Sequence, residues 1–195
     1  TPHAAHEIVR ALIRANRLRP IVVVTPVFRI VNNTMWPEFD LAAFRPVVEK
    51  VLKDEGFSAM DFYVSGLSGS GGCGGDGINR ADRMKPKAVA FFDTCPSEQM
   101  RLQVLKLRIQ KTSTLVLLKN QMTGNPQYDD AFDYSTFIAR LGAGPVSCPT
   151  NRAISDLPLR DVRYKCAGSK DGFLDVLVVD PGAQGQGTWG AFLAA

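Results

Sequence analysis

Met60-Asp61-Phe62-Tyr63-Val64-Ser65-Gly66-Leu67-Ser68-Gly69-Ser70-Gly71-Gly72-Cys73-Gly74-Gly75 is the stretch on which the fold turns. Met60, Phe62 and Val64 alternate with Asp61, Tyr63 and Ser65, the period of a strand, and the run is too short for a helix. It stops in a turn of Gly and Ser, where the missing Cβ atoms permit tight backbone geometry. A strand that delivers a serine into a Gly-flanked turn has the form of a nucleophile elbow. Gly66-Leu67-Ser68-Gly69-Ser70 matches four of the five positions of G-x-S-x-G. Ser68-Gly69-Ser70-Gly71-Gly72 matches as well around Ser70. The turn should follow directly on the strand, which favours Ser68 over Ser70. The plain alternative is a flexible Gly/Ser loop without chemistry.

Outward from this stretch, apolar runs alternate with helical patterns. The spacing predicts a helix opened by Thr1-Pro2, with Ile8, Val9, Leu12 and Ile13 on one face. Ile21–Thr25 reads as a strand buried on both faces. Asp40 caps a helix that places Leu41, Phe44, Val48, Val51 and Leu52 inward, with Pro46 kinking it and Gly56 ending it. Residues 76–86 allow only a short helix. Strands follow at 87–93, 113–118 and 174–179, with helices at 96–110 and 134–141, the second stopped by Gly142. Residues 143–172 read as irregular. The expectation is one α/β domain over residues 1–195, a mostly parallel sheet with helices on both faces. Reactive loops in such sheets lie at the carboxyl ends of strands, here 66–75, 119–130 and 180–187.

Composition narrows the function classes. The 195 residues, 45% of them hydrophobic, suffice for one core, and the net charge of +4 is scattered apart from Arg10, Arg14, Arg17 and Arg19. No nucleic-acid partner is expected. No run reaches the ~18 apolar residues of a membrane span. Cys73, Cys95, Cys148 and Cys166 lack CxxC spacing and the chain has only two histidines, so no metal site is expected. The even count fits two disulfides in a secreted protein, 73–95 and 148–166; the other reading is four buried thiols. Asn32-Asn33-Thr34 is a glycosylation sequon.

The chain resembles the feruloyl-esterase and esterase-D branch of the α/β-hydrolase superfamily, which also holds the mycolyltransferases. Leu18-Arg19-Pro20-Ile21-Val22-Val23-Val24-Thr25-Pro26 is similar to that family's strand ending in VTP. The helix at 40–55 sits where the family has one before the elbow, and Gly66–Gly72 is similar to its G-L-S-M-G-G. Pro181–Trp189 resembles its G-G-H-x-x-x-x-W segment. The resemblance implies a serine esterase or acyltransferase acting on an ester of a carbohydrate or small molecule, without cofactor. Ser68 is then the nucleophile and Asp129 or Asp130 the acid. Leu67, Gly69, Ser70 and Trp189 line the substrate. The family's catalytic histidine falls on Gln184, and His3 and His6 lie far from it in sequence. Glutamine does not take up and return a proton near neutral pH, so the Ser-His relay is broken. The family's first strands have no counterpart here, so the chain reads as a fragment lacking them or as a diverged member. A non-catalytic binding protein of the same fold is the alternative.

A third reading comes from Gly69-Ser70-Gly71-Gly72-Cys73-Gly74, a literal G-x-G-x-x-G after a strand, with Asp93 ending the next strand. That is the pattern of a dinucleotide site. It requires the glycines to open a helix.

Overall fold

The computed structural model describes residues 5–19, 21–24, 41–58, 61–67, 77–92, 96–119, 134–148 and 164–179. The elements in chain order are α1 (Ala5–Arg14), α2 (Leu41–Asp54), β1 (Tyr63–Leu67), a 3-10 segment (Gly77–Met84), β2 (Ala88–Phe92), α3 (Glu98–Ile109), β3 (Ser113–Lys119), α4 (Tyr134–Arg140), β4 (Ala143–Pro145), β5 (Tyr164–Ser169) and β6 (Leu174–Val179). The strands form one six-stranded mixed sheet in the order β1-β2-β3-β6-β5-β4. This is an α/β arrangement.

Local chemistry sets the helix ends. Ser97 caps α3, its side chain accepting a hydrogen bond from the Met100 N–H at 3.1 Å. Past α2, Gly56 takes φ +87°, its N–H bonds the Lys53 carbonyl and the Phe57 N–H bonds that of Leu52. That pair of bonds is a Schellman cap, which needs a left-handed residue where Gly56 stands. Gly142, at φ +72°, follows α4. In α2, Leu41, Val48 and Leu52 are buried as expected, but Val51 is exposed. Val51 falls on the outer side of the stripe drawn by Leu41, Val48 and Leu52.

The core follows from register. Gly66, Phe91, Val116, Val176 and Ala167 stand side by side across five strands. All but Gly66 belong to one buried cluster, joined by Leu41 of α2, Ile78, Ala81 and Met84 of the 3-10 segment, Met100, Val104 and Leu107 of α3, and Phe137 and Leu141 of α4. Burying each large side chain of this set contributes roughly 1.5–3 kcal/mol. Among the described residues, this helical core lies on one face of the sheet. Topology gives the reason. From β1 to β2 to β3 the chain steps in one direction, and right-handed crossovers taken in one direction put their connections on the same side.

The sheet is parallel in three of its five pairings, as expected, and antiparallel at one end. β1, β2, β3 and β6 are parallel, but β6-β5-β4 is antiparallel. The turn between β5 and β6 is too short for a parallel crossover, so the two strands must run antiparallel. Gly172 supplies its left-handed corner at φ +73°. Residues 143–172, expected to be irregular, thus contain β4 and β5. Finally, of Ile21–Thr25, expected as a doubly buried strand, the described residues Ile21–Val24 pair with no described strand and are 44–49% exposed.

Cys148 and Cys166 form a disulfide with a Cα–Cα distance of 5.2 Å. Cys166 pairs with Leu177 in register, in the row that faces away from the main cluster. The expected 73–95 bridge lies outside the described residues. No described helix is long and apolar enough to cross a membrane.

Candidate functional site

β1 ends at Leu67, and the next residue in the chain is Ser68. Leu67 pairs with Phe92, the last residue of β2, and Phe92 pairs with Leu117 of β3. Lys119 and Val179, the last residues of β3 and β6, pair with each other. All four parallel strands therefore finish on one edge of the sheet. The loops that carry Ser68, Asp129, Asp130 and Gln184 all leave from that edge, the place where α/β sheets build sites.

Ser68, Gly69, Ser70, Asp129, Asp130, Gln184 and Trp189 lie outside the described residues, as do Cys73, Cys95 and Asp93. Leu67 is described in its backbone, as the final residue of β1. What the sheet fixes is the spacing of the loop roots. β3 and β6 are neighbours, so the chain leaves for Asp129 and Asp130 about 5 Å from where it leaves for Gln184. β1 lies three strand spacings from β6, about 14 Å. The acid and base loops thus start adjacent, and the nucleophile loop starts across β2 from the first and across β2 and β3 from the second.

The element following the glycine turn among the described residues is the 3-10 segment from Gly77, broken at Arg80 by φ −115° and ψ 21°. The α-helix that a dinucleotide fingerprint calls for is not among the described elements between β1 and β2. The parallel β1–β2 pairing that it also calls for is present.

The opposite edge carries the best-connected polar cluster. Arg108 of α3 donates to Asp171 Oδ2 through Nη2 at 2.8 Å and Nε at 3.2 Å, and to the Leu141 carbonyl through Nη1 at 2.5 Å. The Ser169 hydroxyl donates to Asp171 Oδ1, which also accepts the Phe173 N–H at 3.1 Å. The Ser169 hydroxyl, then Arg108, then the Phe173 N–H pull the Asp171 carboxyl down to about 2. Thr114 N–H bonds the Phe173 carbonyl at 2.8 Å, so this cluster marks the amino-terminal end of β3 and β6, away from the Ser68 edge. It latches the β5–β6 turn to α3 and α4 and has no part in the candidate site. The sequence offers no sign that Arg108 and Asp171, 63 positions apart, are partners.

Among the described residues no three His, Cys, Asp or Glu side chains are grouped to hold a metal ion. Comparisons of the chain with protein-family models, curated proteins and solved structures find no match.

Proposed function

We propose that the chain is a carboxylic-ester hydrolase or acyltransferase of the serine-hydrolase type, a single domain weakened by the glutamine at 184. The observation that supports it most is the placement of Leu67. It ends β1 immediately before Ser68, on the edge where β2, β3 and β6 also end. In this reading the Ser68 hydroxyl attacks the ester carbonyl, the alcohol leaves, and water or a second alcohol releases the acyl group from Ser68. Asp129 or Asp130 orients the group at 184, and Leu67, Gly69, Ser70 and Trp189 flank the ester of a carbohydrate or small molecule. The amide of Gln184 does not carry the serine proton, so acylation is slow. The Cys148–Cys166 bridge supports an extracellular setting, since structural disulfides persist in oxidising compartments.

Gln184 favours a second reading, a non-catalytic binding protein of the same fold. Fluorophosphonate labelling, read by intact mass and peptide mapping on the wild type and on Gln184→His, separates the two. A Ser68 adduct that forms faster in the histidine variant supports the hydrolase. No adduct in either folded protein removes it and leaves the binding reading.

A further inference from the structure

The amino-terminal edge of the parallel strands carries a row of exposed cations. Lys85 and Lys87 flank the buried Pro86 and lead into β2, Lys111 leads into β3, and Lys170 sits in the β5–β6 turn. Ala88 and Ser113 pair in register, as do Thr114 and Leu174, so these lysines stand along one edge. From β1 to β6 that edge spans three strand spacings, about 14 Å. Lys87 lies 3.8 Å from Asp61, and Arg108 holds Asp171. Among the described residues, no carboxylate forms an ion pair with Lys85, Lys111 or Lys170. Tyr63, which opens β1 in register with Ala88, is 67% exposed.

Two of these lysines hold backbone that lysine does not favour. Among the described residues, the non-glycine residues at positive φ are Asn16, Lys85 at +48° and Lys111 at +56°. Asparagine visits that region readily, whereas lysine bears a steric cost that glycine would avoid. Helix dipoles do not call for either lysine. Arg83 already stands in the last turn of the 3-10 segment, and Lys106 and Arg108 in the last turn of α3. An ammonium group retained at two strained corners of one edge therefore points to a use of the charge, as strained backbone does at binding sites.

From this we infer that the edge bearing Lys85, Lys87, Lys111 and Lys170 binds an acidic polysaccharide. The ammonium groups meet its sulfates or carboxylates, and Tyr63 offers an exposed ring to a sugar. The row is built of lysine, whereas arginine is the better fork for phosphate. The choice of a polysaccharide over nucleic acid also rests on the extracellular setting proposed above from Cys148–Cys166. The polysaccharide is held one strand length away from the edge where β1 hands the chain to Ser68, so the inference stands whether or not Ser68 is a nucleophile.

Fluorescence polarisation of the full chain with labelled heparin fragments, oligogalacturonate, neutral dextran and a single-stranded oligonucleotide, at about 0.15 M salt, tests it. The expected result is binding to the sulfated probe, the carboxylated probe or both, weakening as salt rises, and none to dextran. Lys85→Gly and Lys111→Gly should each weaken binding about two- to fivefold and together about tenfold, while both variants unfold at the wild-type Tm or above. Tyr63→Ser should weaken it without changing the salt dependence. Lys165→Gln, the same loss of charge at the carboxyl edge, should leave it unchanged. Wild-type affinity in the double glycine variant, or equal weakening by Lys165→Gln, overturns the inference, because the row is then not the site. A fall in Tm that accompanies the loss of binding also overturns it, since the two lysines are then structural. So does no binding to either acidic probe, or tighter binding of the oligonucleotide. None of these readouts depends on Ser68, whose fluorophosphonate labelling tests the hydrolase reading separately.

Discussion

Arg108 and Asp171 meet at 2.8 Å across 63 residues of chain, and the pair closes the amino-terminal end of the sheet. α3 is held there to the turn that makes β5 and β6 antiparallel.

The titration of Asp171 gives the pair a pH signature. Its carboxyl, ordinarily at 3.8, is held at about 2 in the folded chain. A carboxyl depressed by folding stabilises the fold above its unfolded value, and that stabilisation disappears as pH falls through the folded value. The urea midpoint of the wild type should therefore drop between about pH 4 and pH 2 more steeply than that of Asp171→Asn. The two proteins should differ most near neutrality and converge at the acid end. Parallel acid limbs would show that Asp171 titrates as a free carboxyl.

Gln103 of α3 is 2% exposed, and its Nε2 has no hydrogen-bond partner among the described residues. A buried donor without a partner costs ~1–3 kcal/mol. Gln103→Met keeps the side chain's length and removes the polar atom. It should raise unfolding stability by about 1 kcal/mol in urea melts. A loss of stability would mean that the amide is satisfied in solution.

Lys111 sits past the end of α3 at φ +56°, with its N–H on the Arg108 carbonyl and the Thr112 N–H on that of Leu107. This repeats the cap made by Gly56, with a Cβ in the position that glycine prefers. Lys111→Gly should stabilise by up to ~1 kcal/mol, since left-handed backbone costs a non-glycine residue roughly 1–2 kcal/mol and glycine's entropy returns part of that. Thermal unfolding of the two proteins measures it. A lower Tm in the variant would assign Lys111 a compensating contact.

The Cys148–Cys166 bridge joins residues 18 apart. Closing a loop of that size in the unfolded chain corresponds to about 3 kcal/mol in the chain-entropy model. The paired change Cys148→Ser, Cys166→Ala should lower stability by a similar amount and expose the row of Leu177 and Leu117 on that face. A change below about 1 kcal/mol would place the effect of the bridge outside that model.

The alternation of Phe62, Tyr63 and Val64 determined β1, and the apolar runs at 87–93, 113–118 and 174–179 determined β2, β3 and β6, because a strand writes its period into adjacent residues. Gly56 and Gly142 determined two helix ends for an equally local reason, the missing Cβ at a left-handed corner. The pairing of Cys148 with Cys166 was legible too, given the expectation of a secreted chain. Ser68 was legible only as the residue that follows a strand. Strand order, and with it the common edge from which the Ser68, Asp129, Asp130 and Gln184 loops depart, was settled by tertiary structure. So were the gathering of α2, α3 and α4 on one face, the antiparallel end built on a turn too short to cross over, and the absence of described strand pairing at Ile21–Val24. Each of these depends on which distant segments lie side by side, and hydrophobic periodicity reports whether a residue is buried, not what buries it. Arg108 and Asp171 show the same division: each is an ordinary surface charge in the sequence, and only the fold makes them partners.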